Sequence, residues 1–325
     1  MKLSTLASKN QPDGQLFVVS ADNCRAVPAT GIAANLQEAL EHWSAVAPKL
    51  EQLYQALNAG TAAGAMAFKQ EQAQAPLPRA WQWLDGSAFA SHGELMSRVF
   101  GMDDPPRDRP LMYQGLSNQF YGPGEAVPFR SEADGIDFEG EFGVITDEVP
   151  RGVTPDEAMH HIRLLVQIND WSLRTLAPIE MKTGFGWVQA KPPCSVAPVA
   201  VTPDELGAAW HKGRVALPLL VDWNGKRFGA ANGAAMGFGF HELVAHAAAT
   251  RKLVAGTIIG SGTVSNENYR EVGSSCIAER RGIEKMDLGE PKTAFMKFGD
   301  RVRMEAVGTD GNPLFGVIDQ EVVRV

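Results

Sequence analysis

The chain has 325 residues, 44% of them hydrophobic and 21% charged, which is typical of a globular protein with a sizeable core. Lysine and arginine number 30 against 38 aspartates and glutamates, and the resulting net charge of −8 argues against a nucleic-acid partner. No run of about 18 apolar residues predicts a membrane span, and the first residues lack the apolar segment of a secretion signal. Cys24, Cys194 and Cys276 are widely spaced and match no disulfide or zinc pattern. We therefore expect a cytoplasmic protein with reduced thiols.

The first part of the chain changes from a strand pattern to a helix pattern. Residues 16–19 form a β-rich run bounded by turn residues, which predicts a strand. From residue 36 to residue 57 leucines and aromatic residues follow helical spacing, and we expect Pro48 to break or kink this helix. Residues 70–79, rich in glutamine, alanine and proline, are predicted to be a linker or a surface crossing.

The rest of the chain is predicted to be mostly strand, with a few well-marked helices. Thr154 and Thr202 each begin a Thr-Pro-Asp-Glu sequence, which has the N-cap, the proline and the capping-box glutamate of a helix start. An alanine-rich segment at residues 240–251 predicts a third helix. Strands are predicted at residues 142–146, 164–168, 217–222, 257–260, 301–307 and 314–318. Because strands and helices do not alternate regularly, we predict an α+β fold with a mixed sheet rather than a Rossmann fold or a TIM barrel.

Glu139 and Glu141 are the first candidates for chemistry. On a strand, where side chains alternate between faces, both carboxylates project from the same face about 7 Å apart. Such a pair can bind one divalent cation. The alternative is an ordinary strand face in contact with water.

Asp170 follows a predicted buried strand, in the sequence Asn169-Asp170-Trp171-Ser172. A carboxylate at this position lines a cleft or closes the strand with an Asx turn. Oxygen ligands without clustered histidine or cysteine favour Mg²⁺, Ca²⁺ or Mn²⁺ over zinc.

Other side chains are open to two interpretations. His92 is either a surface histidine or a general base, and Lys191 is a cation beside aromatic and rigid residues. His241 and His246 resemble a zinc-protease motif, but they are one residue too far apart and lie about 140° apart around a helix. We therefore assign them packing or surface roles. Cys276 is interpreted as a small buried hydrophobe. The glycine-containing loop at residues 260–265 is a weak dinucleotide fingerprint and is either a tight turn or a ligand loop.

Together these motifs resemble the fumarylacetoacetate hydrolase family from about residue 76 to the end of the chain. The matching points are Asp85 with His92 seven residues later, Phe138-Glu139-Gly140-Glu141, Asn169-Asp170-Trp171-Ser172-Leu173-Arg174, Gly184-Phe185-Gly186 leading to Lys191, Gly262-Thr263-Val264-Ser265, and Gly311-Asn312-Pro313-Leu314-Phe315-Gly316. The chain is most similar to the shorter bacterial members. That similarity implies a small N-terminal domain at residues 1–75 and a catalytic domain at residues 76–325.

The resemblance implies a catalytic domain built as a mixed β-sandwich roll, a homodimer, and a divalent metal, Mg²⁺ or Ca²⁺ with Mn²⁺ as a further option, without an organic cofactor. The implied metal ligands are Asp85, Glu139, Glu141 and Asp170. His92 corresponds to the general base, Glu279 to the acid that orients it, and Lys191 to the lysine near the metal. Arg174, Thr263 and Tyr113 correspond to substrate-binding residues.

The implied reaction is hydrolysis of a carbon–carbon bond in a 1,3-diketo acid, with 4-fumarylacetoacetate as the expected substrate and fumarate and acetoacetate as products, in tyrosine and phenylalanine degradation. Cleavage releases an enolate, which a cation stabilises. Two departures concern substrate contacts: Lys191 is followed by Pro192-Pro193-Cys194-Ser195, where the family often has Ser-Phe-Gly-Thr, and Ala177 replaces a polar residue of the animal-type enzymes. An acylpyruvate hydrolase, or a decarboxylase or isomerase of a 2-keto acid, is therefore an alternative. A non-catalytic binder is a third, but it would need neither His92 nor Lys191.

Overall fold

The computed structural model describes residues 1–9, 11–100, 106, 108–309 and 311–325. The strands are β1 (Lys2–Ser8), β2 (Gln11–Val19), β3 (Arg25–Pro28), β4 (Met66–Ala67), β5 (Gln82–Gly86), β6 (Met112–Gly115), β7 (Val127–Phe129), β8 (Ile136–Asp137), β9 (Gly140–Thr146), β10 (Ile162–Asn169), β11 (Ser172–Leu173), β12 (Ser195–Val196), β13 (Ala200–Val201), β14 (Trp210–His211), β15 (Arg214–Val215), β16 (Pro218–Trp223), β17 (Lys226–Asn232), β18 (Thr257–Gly260), β19 (Arg301–Val307) and β20 (Pro313–Arg324). The helices are α1 (Leu36–Glu41), α2 (Trp43–Asn58), α3 (Ala90–Phe100), α4 (Pro155–Met159), α5 (Ala177–Met181), α6 (Phe240–Ala247), α7 (Tyr269–Val272) and α8 (Ile277–Leu288). Short 3₁₀ helices cover Gln70–Gln72, Glu132–Asp134, Pro203–Ala209 and Gly233–Ala235.

The helix predicted at residues 36–57 is two helices. The Asn35 side chain accepts a hydrogen bond from the Glu38 amide and caps α1, and the break follows at His42. Pro48 lies inside α2 and does not end it, so the helix does not break where a break or kink was predicted. The buried side chains of α2 on both sides of Pro48, Val46 and Leu50, keep the helix on the core although the proline removes one backbone donor.

The predicted helix starts differ in outcome. Thr154 forms the complete capping box with Glu157 ahead of α4. Thr202 precedes the 3₁₀ helix Pro203–Ala209 and makes no side-chain cap there. The third predicted helix is α6, which ends at Ala247, four residues earlier than predicted. The six predicted strands are confirmed as β9, β10, β16, β18, β19 and β20.

A large mixed sheet organises the described part of the chain. It has eleven strands, with the path β4-β3-β2-β1-β13-β10-β9-β18-β5-β6 and β12 paired to β10. A second sheet of five strands has the order β17-β16-β19-β20-β7. The predicted α+β class is therefore confirmed. The N-terminal strands extend the large sheet through the β1–β13 pair, so the sheet has no break near residue 75. The division into domains at that residue stays a prediction.

The large sheet is buried on both faces, which explains the long apolar runs of its central strands. On one face Phe142 and Val144 pack in a core cluster with residues of the five-stranded sheet, such as Leu219. On the other face Ile145 packs in a second cluster with residues of α1 and α2, such as Leu36. Glu141 shares the parity of Ile145 and therefore belongs to this second face. Within the described residues, no helix combines the length and apolarity needed to cross a membrane.

Candidate metal and catalytic site

Three strands bring three carboxylates together. Asp85 lies on β5, Glu141 on β9, and Asp170 directly after β10. β9 pairs with β10 on one side and with β18 on the other, and β18 also pairs with β5. Oxygen atoms of the three carboxylates lie within 4.8 Å of one another. Glu141 and Asp170 are fully buried, and Asp85 is 6% exposed.

This carboxylate cluster, Asp85, Glu141 and Asp170, has the properties of a cation-binding site. Both oxygens of Glu141 are buried and have no hydrogen-bond partner. Burial, followed by the charges of Asp85 and Asp170, raises the pKa of Glu141 well above its ordinary value. Burial and Asp170 raise the pKa of Asp85 in the same way. Buried carboxylates are stable only when paired or bound to a cation, so these residues fit a divalent ion with oxygen ligands.

Asp85 is held in place by the loop after β18. The Gly262 amide donates a 2.9 Å hydrogen bond to Asp85 Oδ1. Gly262 has a φ of 75°, and a Cβ at this position would lie 2.3 Å from the Gly86 carbonyl oxygen, so only glycine fits. Thr263 is buried beside it, and the next amide, that of Val264, donates to the Gly140 carbonyl at 3.0 Å. This loop therefore connects Thr263 to β5, which carries Asp85, and to β9, which carries Glu141.

Glu139 has a different environment from the carboxylate cluster. Its Oε1 accepts hydrogen bonds from Arg174 and, at 3.2 Å, from the Ser172 hydroxyl, while Oε2 accepts from Lys191 Nζ at 3.1 Å. Burial opposes ionisation, but Arg174 and Lys191 outweigh it and hold the pKa of Glu139 below its ordinary value. Glu139 is thus neutralised by side chains of the protein and does not belong to the carboxylate cluster.

Lys191 joins Glu139 to the carboxylate cluster. Its Nζ lies 2.6 Å from Asp170 Oδ2, and Tyr113 donates a 2.5 Å hydrogen bond to the same oxygen. The Nζ is also 5.5 Å from the ring centroids of both Tyr113 and Trp187, which stack at 5.1 Å. Burial opposes the charge of Lys191, but Asp170 and Glu139 outweigh it and raise the pKa of Lys191. A permanent positive charge therefore lies at the edge of the cluster.

Asp137 is a site residue that the sequence did not indicate, and its contact with Arg174 identifies it. Arg174 Nε donates to Asp137 Oδ2 at 2.8 Å, and Asp137 also accepts from the Ile277 and Ala278 amides at 2.7 and 2.9 Å. Asp137 therefore links Arg174 to the first turn of α8. The available signal was strand parity, because Asp137 alternates in step with Glu139.

His92 and Glu279 lie together between α3 and α8. His92 Nδ1 is 4.0 Å from Glu279 Oε1, and the Ser265 hydroxyl donates to that same oxygen. Burial lowers the pKa of His92 to about 4, so the imidazole is neutral at pH 7. Burial raises the pKa of Glu279 to about 7. A neutral imidazole is the protonation state required of a general base.

Two of the cysteines lie at this site. Cys194 Sγ donates a 2.9 Å hydrogen bond to Asp170 Oδ1. Cys194 lies in the sequence after Lys191 that differs from the usual family pattern. Cys276 is buried, as interpreted from the sequence, and its Sγ accepts from the Glu279 amide at the start of α8. His241 and His246 lie on α6 and belong to neither metal-type cluster found among the described residues.

The site as a whole has more acidic than basic side chains. Its buried carboxyl groups are Asp85, Asp137, Glu139, Glu141, Asp170 and Glu279, and its two cations are Arg174 and Lys191. The arrangement can hold a divalent cation, keep a histidine neutral as a base and offer two positive charges to an anionic substrate.

Family models cover nearly the whole chain. The model for the fumarylacetoacetate hydrolase C-terminal region matches residues 82–323, and the model for fumarylacetoacetase N-terminal domain 2 matches residues 1–79. The chain therefore belongs to the fumarylacetoacetate hydrolase family, and the predicted membership is confirmed.

Individual relatives agree with this assignment. A 2,4-didehydro-3-deoxy-L-rhamnonate hydrolase from Sphingomonas sp. (strain SKA58) is 28% identical over 162 residues, and the match spans 49% of this chain and 54% of that relative. The structure of fumarylacetoacetate hydrolase from Exiguobacterium antarcticum has a TM-score of 0.68 at 17% identity and full coverage of both chains. The structure of maleylpyruvate hydrolase from Sphingobium sp. SYK-6, in complex with manganese(II) and pyruvate, has a TM-score of 0.66 at 16% identity, with 100% and 99% coverage. At these identities the two structures establish a shared fold.

Proposed function

We propose that this protein is a metal-dependent hydrolase that cleaves a carbon–carbon bond in a 1,3-diketo acid. The observation that carries the proposal is Glu141, whose buried carboxylate has no hydrogen-bond partner and lies with Asp85 and Asp170 in one cluster. Membership of the fumarylacetoacetate hydrolase family supports the same reaction class.

Asp85, Glu141 and Asp170 would hold the metal, and Glu139 is the proposed fourth ligand. Mg²⁺ and Ca²⁺ are the expected ions, with Mn²⁺ as a further option, because all the donors are carboxylate oxygens. When bound, the ion supplies Lewis-acid stabilisation of the enolate that leaves on cleavage. We expect no organic cofactor.

His92 would act as the general base. Its imidazole is neutral above about pH 4, so it can take a proton from the attacking water. Glu279, 4.0 Å from Nδ1, would orient the ring and stabilise the imidazolium that forms.

Lys191 and Arg174 would bind the negative charges of the substrate. Arg174 donates through Nε to Asp137 and through Nη2 to Glu139, and the five donors of a guanidinium allow a further contact with a substrate carboxylate. Lys191 lies beside Asp170 and would stabilise the developing oxyanion. Tyr113 and Thr263 are the proposed remaining substrate contacts.

For the substrate we propose 4-fumarylacetoacetate, which would place the enzyme in tyrosine and phenylalanine degradation. Cleavage of an acylpyruvate is the second candidate, and Ala177 favours it. Ala177 is buried at the start of α5 and cannot make the polar substrate contact expected of animal-type enzymes. The site therefore has one polar contact fewer for 4-fumarylacetoacetate.

The test is a direct assay of purified protein with Mg²⁺ against fumarylacetoacetate and acetylpyruvate, each as a full kcat/KM measurement. The proposal expects turnover of fumarylacetoacetate with the higher kcat/KM. A higher kcat/KM for acetylpyruvate selects the second candidate. No turnover of either compound with Mg²⁺, Ca²⁺ or Mn²⁺ contradicts the proposed reaction class.

We further propose that the chain is a homodimer, on the basis of the family resemblance, and that it is cytoplasmic, on the basis of its cysteine pattern. Light scattering at micromolar concentration should give twice the 35.0 kDa mass of the chain. A mass equal to that of one chain would contradict the dimer.

A further inference from the structure

Next to the proposed base is a thiol that the proposed reaction does not use. The Sγ of Cys276, a ring nitrogen of His92 and a carboxylate oxygen of Glu279 all lie within 4.8 Å of one another. Cys276 and Glu279 are fully buried, whereas the His92 side chain is 17% exposed. We name this group the His-Cys-Glu cluster.

The polar atoms of this cluster are incompletely satisfied. His92 Nδ1 is buried and has no hydrogen-bond partner. Glu279 Oε1 accepts from Ser265, but Oε2 makes no hydrogen bond of normal geometry, although Ser274 and the Ser275 amide lie nearby. Buried polar atoms without partners are uncommon in folded proteins and often mark a missing ion or ligand. Here His92 and Glu279 each have one such atom, and both residues contribute to a cluster with the Cys276 sulfur.

We propose that the His-Cys-Glu cluster is a second metal site, specific for a thiophilic divalent cation of the Zn²⁺ class. Zn²⁺ binds sulfur, imidazole nitrogen and carboxylate oxygen at about 2.0–2.3 Å in tetrahedral geometry. Tetrahedral ligands at those lengths lie roughly 3.5 Å apart, so a contraction of about an ångström closes the site. Water would take the fourth position.

The two metal sites differ in ligand chemistry. The carboxylate cluster offers oxygen alone and favours hard ions such as Mg²⁺, whereas the His-Cys-Glu cluster offers sulfur and nitrogen, which favour Zn²⁺. On binding, the Cys276 sulfur forms a bond to the metal and its proton is released to solvent. The resulting thiolate and the Glu279 carboxylate balance the two positive charges of the ion.

Nearby cations do not prevent this binding. Arg174 is paired with Asp137 and Glu139, and Lys191 is paired with Glu139 and Asp170. Their charges are therefore largely compensated. The exposed part of His92 gives the ion a route into the cluster.

Occupation of this site would inhibit the enzyme. A His92 nitrogen bound to Zn²⁺ cannot take a proton from water, so turnover would stop while the carboxylate cluster keeps its own metal. This consequence depends on the proposed function, whereas the metal site itself does not.

Cobalt(II) is the probe, because a cobalt–thiolate bond gives a charge-transfer absorption in the near ultraviolet that carboxylate ligands do not give. Protein saturated with Mg²⁺ is titrated with Co²⁺, and Zn²⁺ is then added as competitor. We expect the absorption in the wild type and in the matched controls Cys194→Ser, which is buried, and Cys24→Ser, which is exposed. We expect it to be absent in Cys276→Ser. Serine is a preferred N-cap residue, so this variant keeps the cap that Cys276 provides to α8.

Several outcomes would overturn the site. The first is the absence of near-ultraviolet absorption in the wild type. The second is the same absorption in Cys276→Ser as in the wild type, and the third is its loss in Cys24→Ser or Cys194→Ser instead. Should Cys276→Ser fail to fold, Glu279→Gln replaces it and must weaken Co²⁺ binding at least about tenfold.

Activity supplies the second readout. At fixed Mg²⁺, the Zn²⁺ concentration for half-inhibition should be at least about tenfold higher in Cys276→Ser than in the wild type. Equal inhibition of both proteins overturns the inhibitory role. A cobalt–thiolate absorption in a protein that turns over neither candidate substrate would leave the second site standing and refute the proposed function alone.

Discussion

Glu139 and Glu141 are two residues apart in the sequence, one just before β9 and the other on it, yet their surroundings are opposite. Glu139 bonds to Arg174, Lys191 and Ser172, and its pKa is lowered. Glu141 has no partner, lies against two further carboxylates, and its pKa is raised. The protein neutralises one glutamate with its own side chains and leaves the other to be neutralised from outside.

This difference separates a carboxylate that the protein already neutralises from one that it does not. Spacing along a strand determines which face a side chain takes, but the partners come from distant segments of the chain. Perturbed carboxylates without internal partners are typical of functional sites. If this interpretation is right, changes at the two glutamates should act on different properties.

Loss of the metal is expected to have the largest effect. Exhaustive EDTA treatment, or Glu141→Ala, should lower kcat/KM by about 10³-fold or more, since a Lewis acid contributes several kcal/mol to the transition state. Isothermal titration with Mn²⁺ should show binding to the wild type and at least about tenfold weaker binding to the variant.

The matched control is Glu148→Ala, which removes a carboxylate that is 62% exposed and paired with Lys252 on the surface. It should retain wild-type turnover and Mn²⁺ affinity. Full activity in EDTA, or in Glu141→Ala, would remove the metal hypothesis.

Replacement of the base should have the next largest effect. His92→Ala should lower kcat by about 10²–10⁴-fold, the usual contribution of a positioned general base. Mn²⁺ titration should still show binding at the carboxylate cluster, because that cluster does not include the imidazole. If His92→Ala abolishes this binding instead, the histidine is a ligand or a structural residue.

Stability in EDTA tests the two glutamates against each other. Glu139→Gln breaks a buried ion-pair network and should destabilise the fold by about 3–5 kcal/mol, measured by denaturant unfolding at pH 7. Glu141→Gln removes a repelling charge and should be neutral or stabilising. Equal destabilisation by both substitutions would show that their environments do not differ in the way described.

The pH dependence of stability has a defined sign. Burial raises the folded-state pKa of Glu141, so this group stabilises the fold below its unfolded value of about 4.3, and the contribution is lost as pH rises through the folded pKa. The wild type in EDTA should therefore lose stability as the pH rises above about 4.3. Glu141→Gln should show a flatter profile over this range, and a steeper one would contradict the raised pKa.

The sequence indicated the strands, because they follow from local periodicity. It also placed Glu139 and Glu141 on one strand, whereas Glu139 lies before β9 and pairs with Cys276 in an isolated bridge. β9, β10 and β18 are buried on both faces, and their apolar runs are therefore easy to identify. The pairing of Glu139 with Arg174 and Lys191 has no local signal, because it depends on loops that meet only in the fold. The contact between Cys194 and Asp170 was missed for the same reason. The break at His42 was missed because no proline or glycine marks it in the sequence.

The smallest expected effect concerns Glu279. Its pKa of about 7 and that of about 4 for His92 imply that, near pH 6, the proton of the pair is on the carboxyl group and not on the imidazole. Only above about pH 7 does Glu279 carry the charge that stabilises the imidazolium. The acid limb of kcat/KM should therefore lie near pH 7 and belong to Glu279. Glu279→Gln should lower kcat/KM by about 10–100-fold at pH 8.5, since a hydrogen bond to a charged group contributes about 1.5–3 kcal/mol, and it should approach the wild type at pH 6. An unchanged limb in Glu279→Gln, near the ordinary histidine value of about 6.5, would instead assign the titration to His92.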